Sequence, residues 1–165
     1  MSDDRHLVET ATGRTELLRG HFLHAVRETV RLPDGGSATR EFILHPGAVM
    51  MVPLLDDGRV VLERQYRHAV GQVMVEFPAG KLDPGEAVQA CAERELREET
   101  GYAAREWARA GRLHPCIGYS NEFIEVWFAR GLSLGERHLD AGEHLDVITA
   151  TPAELLAWCH DGRVT

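Results

Sequence analysis

The segment that most restricts the fold of this chain is RELREETG, residues 94–101, together with the helical pattern leading into it from Glu86. At about 100° per residue, Glu95 and Glu99 fall on the same stripe as Val88, Ala92 and Leu96, the apolar side of the segment. Two ionised carboxylates one turn apart on a packed face repel each other and lose their hydration, which costs at least roughly several kcal/mol. They escape by protonation, by pairing with buried Arg or Lys, or by binding a cation, and any fold that houses this helix must supply one of the three. Glu98 lies about 60° from Glu95 and can turn into the same cleft. Glu86, Glu93 and Arg97 read as a solvated face, and Arg94 with Glu98 as a surface pair worth ~0.3–0.5 kcal/mol.

Three carboxylates with no His or Cys beside them form a hard oxygen set that suits Mg²⁺ or Mn²⁺ rather than zinc. The preceding stretch PAGKLDPGE has two glycines and two prolines, so its backbone is bent and presents carbonyl and N–H groups closely. A carbonyl from Ala79 or Gly80 would complete the coordination of a cation held by Glu95 and Glu99. Cation binding is the reading that best resolves the inward acids.

The remaining 165-residue sequence bounds the setting. Its length predicts one domain, residues 21–165, after a polar first 20 residues read as a loose arm. A formal charge of -8 with no Lys/Arg cluster argues against nucleic-acid and membrane surfaces. Cys91, Cys116 and Cys159 form no CxxC or zinc pattern and read as reduced, mostly buried thiols. The histidines show no HExxH arrangement. With no apolar run near 18 residues and no hydrophobic start, a cytoplasmic protein is expected.

Along the chain, HFLHAVRETVRL and ATREFILH read as strands around the turn PDGGS. AVMMVPLL and RVVLERQYR follow as a hairpin around Asp56-Asp57-Gly58. VMVEFPAG is a short strand running into a glycine loop, and the helix from about Glu86 to Thr100 stops at Gly101. REWARAGRLHP and EFIEVWFARGL read as strands separated by CIGYSN. The stretch 131–148 reads as irregular, and TPAELLAWCHDG as a helix with a capping box on Thr151 and Glu154. Many strands with two helices predict an α+β fold, a mixed sheet with helices packed against it.

Gly80, Glu86 and Arg94-Glu95-Leu96-Arg97-Glu98-Glu99-Thr100-Gly101-Tyr102 resemble the complete Nudix box, G-x5-E-x7-R-E-U-x-E-E-x-G-U with U apolar. All nine specified positions agree. The resemblance implies a Nudix-type α/β/α sandwich with a mixed β-sheet, and Mg²⁺-dependent hydrolysis (Mn²⁺ as substitute) of a nucleoside diphosphate linked to another group. It carries Glu95, Glu98 and Glu99 over as metal-binding and catalytic acids, beside which the Ala79 carbonyl of the bent loop is the expected backbone ligand, and Glu86 and Arg94 as orienting residues. LERQYRHAVGQVMVEFPAGKLDPGE is similar to the ADP-ribose pyrophosphatase group. That likeness implies a substrate-binding role for Arg67, Glu76 and Gly80, and for Glu122 in GYSNE. It also implies AMP and ribose 5-phosphate as products from ADP-ribose.

Glu143, in DAGEHLD, is the residue expected to act as general base, because the family often supplies one from the loop before the final helix. Phe22, Phe42 and Tyr66 are available to stack on adenine. Relatives often dimerise through the N-terminal strands, here about residues 21–45, so a homodimer is expected. The chain departs from the group at Ile117, where Pro is usual, and in stopping at GRVT where most relatives continue into another helix. Alternatives are hydrolysis of a GDP-sugar, dinucleotide polyphosphate or nucleoside triphosphate on the same box, and a non-catalytic nucleotide sensor.

Overall fold

The computed structural model describes residues 4–164, which form two compact units. The first comprises residues 4–46 with 114–123. Its strands β1 (Thr10–Arg19), β2 (His24–Arg31) and β3 (Ser37–Ile43) make an antiparallel sheet in that order. The turn between β2 and β3 is the one expected: the Asp34 carboxylate accepts the Gly36 N–H at 2.8 Å, and the Gly35 N–H donates to the Leu32 carbonyl. The loose arm is corrected. Residues 10–19 form a strand in register with β2, from Thr10 opposite Arg31 to Arg19 opposite His24, and Arg14 grips Glu28 across the pair at 2.8 Å. All of β1 is exposed, so its polar composition marks a strand without a buried face.

The second unit comprises residues 47–113 and 124–164. One sheet runs β7 (Ala79–Lys81), β4 (Ala48–Pro53), β10 (Ile124–Arg130), β9 (Glu106–Leu113), with β4 and β10 parallel and the other pairs antiparallel. A second sheet runs β12 (Leu145–Ala150), β5 (Val60–Arg67), β6 (Gln72–Glu76), all antiparallel. A two-stranded piece joins β8 (Tyr102–Ala103) to β11 (Ser133–Leu134). Helix α1 spans Val88–Thr100 and α2 spans Pro152–His160. This is the expected α+β fold with a mixed sheet.

Three local readings are corrected. β4 and β5 turn at Asp56-Asp57-Gly58 but enter different sheets, with a short bridge between Leu54 and Val60 at the turn. A turn signal specifies a chain reversal and leaves the partner open, and here β4 is claimed by β10. The PAG segment is not a free loop, since Ala79–Lys81 pairs with β4. Within 131–148, Leu145 begins β12, which pairs with Val60 to Gln65 of β5.

Apolar burial explains the helix positions. Cys91, Ala92 and Leu96 of α1 are fully buried with Val49, Met51 and Ala129 of β4 and β10. Leu155 and Trp158 of α2 pack on Val60 and Leu62 of β5 and on Ala150. α2 opens on the expected capping box, with the Glu154 N–H donating to the Thr151 hydroxyl at 3.2 Å. α1 ends at Gly101, φ 77°, whose N–H donates to the Arg97 carbonyl at 2.9 Å; left-handed backbone of this kind strains any residue with a β-carbon. The thiol reading is corrected in part. All three cysteines are free, but only Cys91 is buried and Cys159 is exposed.

Candidate active site

The side of α1 that carries Leu96 also carries the two acids. Glu99 is 5% exposed and sits among the buried residues of the helix, and the Glu95 side chain is 14% exposed. Glu98, on the flank, is 39% exposed. β7 lies against this side of α1, where the Ala79 N–H donates to Oε2 of Glu99 at 3.0 Å. Gly80 faces Glu95 so closely that a β-carbon there would meet the carboxyl group. Paired in register with Val49, Gly80 belongs to the sheet and cannot easily recede.

Burial drives the Glu99 carboxyl well above the usual carboxylate range, reinforced by Glu63, Glu95 and Glu143 and only partly offset by the Ala79 N–H. Burial raises Glu95 as well, despite its contact with Arg94. Arg94 is the hub of the flank. Its Nε and Nη2 donate to the two oxygens of Glu86 at 2.8 and 2.9 Å, and its Nη1 donates to Glu95 at 2.8 Å and Glu98 at 3.0 Å. The Glu86 carboxyl is held down at about 2, chiefly by those Arg94 bonds. Glu86 therefore does not belong to a solvated helical face. It precedes the helix and anchors Arg94.

The second sheet brings the other candidates to the same acids. Strand alternation places Val61, Glu63, Gln65 and Arg67 on one face of β5, opposite to Leu62, which packs under α2. Arg67 is clamped to Glu76 of β6 by two bonds of 2.8 Å, and Glu99 acts on its charge. Glu143, in the loop before β12, accepts from the Gln65 amide at 3.4 Å and presses on Glu63, Glu95 and Glu99. Glu122 belongs to the first unit, 3.7 Å from His45. Phe22 and Phe42 also lie there. Tyr66 is on the other face of β5, lining a cavity of about 420 Å³ with Arg64, Val73, Arg137 and His144.

Sequence reading missed Glu63. It is 3% exposed, and its Oε1 has no hydrogen-bond partner. Burial and then the Glu143 charge push its carboxyl up. The signal was present, since Glu63 stands four residues before Arg67 and shares its face.

The donor set fits a divalent cation in its chemistry: inward carboxylate oxygens, an orphaned buried oxygen at Glu63, and a backbone strand brought close by a glycine. Among the described residues no three acids or histidines already stand as a closed ligand cage. Arg94 holds Glu95 and Glu98, so both would have to turn from Arg94 toward the ion.

Comparison with known proteins matches residues 44–163 to the NUDIX domain model. The chain is 34% identical over 154 residues to the ADP-ribose pyrophosphatase of Bacillus subtilis (strain 168), covering 92% of this chain and 83% of that protein. It is 36% identical over 163 residues to the methanol dehydrogenase activator of Bacillus methanolicus, covering 96% and 87%. Among solved structures, an ADP compounds hydrolase superposes with a TM-score of 0.81 at 24% identity, covering 93% of this chain and 83% of that one. A domain match over residues 44–163, relatives matched over more than four fifths of their length and an unbroken box leave one conclusion: the chain belongs to the NUDIX family.

Proposed function

We propose that this protein hydrolyses the diphosphate linkage of an ADP-sugar, with ADP-ribose giving AMP and ribose 5-phosphate, and that it requires Mg²⁺, for which Mn²⁺ substitutes. The observation that carries the reading is the pair of inward acids, Glu95 and Glu99, packed against β7 with far less positive charge than their burial demands. The name of the B. subtilis relative supports the choice of substrate.

In this proposal Glu95, Glu98 and Glu99, with the Ala79 carbonyl, hold the divalent ion. When bound, the ion neutralises diphosphate charge and lowers the pKa of the attacking water. The Ala79 N–H fixes the orientation of Glu99, and Arg94 gathers Glu95 and Glu98 on one flank. Gly80 lets the backbone pass close to the substrate. Arg67, aimed by Glu76, binds phosphate oxygens, and Glu122 is a further substrate-binding residue. Glu143 accepts the proton of the water that attacks phosphorus, and the P–O bond to the departing phosphate ester breaks. The proposal includes a homodimer through strands within residues 21–45 and a cytoplasmic setting. Among the described residues no helix is long and apolar enough to cross a membrane.

The test is product analysis of ADP-ribose, GDP-mannose and a diadenosine polyphosphate incubated with the protein and Mg²⁺. The reading expects AMP and ribose 5-phosphate, formed fastest from ADP-ribose and abolished by chelation. ADP-ribose ranking among the poorest substrates would overturn the substrate choice, and no cleavage of any of the three would overturn the hydrolase reading. Size-exclusion chromatography tests the dimer.

A further inference from the structure

Three carboxylates in the second unit are almost wholly buried, and they are satisfied very differently. Glu125, 3% exposed, is gripped by Arg109 at 2.6 Å and Arg112 at 2.7 Å. Glu99 receives the Ala79 N–H. Glu63 is as buried as Glu125, yet its Oε1 has no partner.

The surroundings of Glu63 deepen the anomaly. Its opposite residue on β6 is Glu76, and on β12 it is Val147. The charges that act on it most are those of Glu143, Arg67, Glu76 and Arg137. Arg67 spends its Nε and Nη2 on Glu76, and Arg137 donates to the Leu145 carbonyl. Glu99 of α1 is disfavoured in its charged form by Glu63 in turn. A strand position that needed only packing would carry a side chain such as the fully buried Val61 two residues earlier. A carboxylate kept for structure would have its oxygens bonded, as those of Glu125 are. An unpartnered buried oxygen under the charges of Glu143 and Glu76 suits a cation as its partner.

We propose that Glu63 is a further carboxylate of the divalent-cation site, sharing the ion with Glu99 from the opposite wall formed by β5. The assignment rests on the cation-dependent reading above and extends it beyond the box helix to a strand residue. It adds β5 to α1 and β7 as a source of ligands, so cation binding would tie the helix to the second sheet.

The experiment is titration of the full-length protein with Mn²⁺ alone, by calorimetry and by the free-Mn²⁺ electron paramagnetic resonance signal. Wild type, Glu63→Gln, Glu63→Asp and Glu99→Gln are compared, with circular dichroism verifying each fold. Loss of a ligand or of its close support lowers metal affinity about 10- to 100-fold. The expected result is a loss of that size in Glu63→Gln, a smaller loss in Glu63→Asp, and a higher metal-free melting temperature for Glu63→Gln than for wild type. If Glu99→Gln loses Mn²⁺ while both Glu63 variants bind within twofold of wild type, the Glu63 assignment falls and the box reading stands. If wild type takes up no Mn²⁺, both fall. Should Glu63→Gln fail to fold, Glu63→Asp decides alone, and wild-type affinity in it overturns the proposal.

Discussion

A β-carbon on Gly80 would lie 1.9 Å from the carboxyl carbon of Glu95 and 2.1 Å from its Oε1. Gly80 is held in the sheet by its pairing with Val49, and Glu95 is held on α1 by the fully buried Leu96 beside it. The carboxylate must therefore yield to any larger residue at position 80. Gly80→Ala should displace Glu95 from its place beside β7 with the fold retained. Overpacking of this kind costs ~1–3 kcal/mol, and misplacing a catalytic group by about 1 Å costs on the order of 100-fold in rate. Thermal unfolding and ADP-ribose turnover measured on the same preparation test it. Wild-type turnover in Gly80→Ala would show that Glu95 can work from another position.

Arg94 and Glu86 form the tightest part of the flank, with two parallel bonds between guanidinium and carboxylate. A fork of this geometry is not reproduced by lysine, which presents a single point charge. A double-mutant cycle on Arg94→Lys and Glu86→Gln should return a coupling of ~1–2 kcal/mol in unfolding free energy, within the range for residues in one network. Additive effects would mean that the pair organises nothing.

The same pair sets a pH response. The folded-state carboxyl of Glu86 is depressed from 4.5 to about 2, chiefly by Arg94. A depressed acid contributes stability that is fully present above the unfolded pKa and is lost as pH falls through the folded one. Its share should be complete above about pH 5 and vanish near pH 2. The gap in melting temperature between wild type and Glu86→Gln should therefore shrink steadily as pH falls from 5 to 2. A gap independent of pH would assign the loss to packing instead.

What could be read from the sequence was what short-range periodicity encodes. The 3.6-residue pattern from Val88 to Thr100 turns Glu99 inward without knowledge of any neighbour, and the Thr151 capping box is local chemistry within four residues. What escaped depends on distant pairing. Asp56-Asp57-Gly58 specifies a turn, but the partner of β4 is β10, some 70 residues later. Leu145–Ala150 pairs with β5 behind a run of acids that masks its alternation. Glu63 was visible as a strand residue on the face of Arg67. That its charge bears on Glu99 followed only from the fold, which sets β5 and α1 in one unit.

At Glu99 the stability cost and the proposed use have opposite signs. In the metal-free protein a carboxylate 5% exposed, with Glu63, Glu95 and Glu143 acting on it, is disfavoured in its charged form. Gln keeps the oxygen that accepts the Ala79 N–H and removes the charge. Glu99→Gln should therefore raise the metal-free melting temperature by a few degrees, about 1 kcal/mol for a chain of this size. It should also lower turnover by at least about 100-fold, since the charge stabilisation supplied by the ion goes with its ligand. Added Mg²⁺ should stabilise wild type, by mass action on the folded state, and leave Glu99→Gln nearly unmoved. Differential scanning fluorimetry with and without Mg²⁺, beside an ADP-ribose assay, reads all three effects. A variant that melts lower than wild type without metal, and still responds to Mg²⁺, would place the cation elsewhere in the molecule.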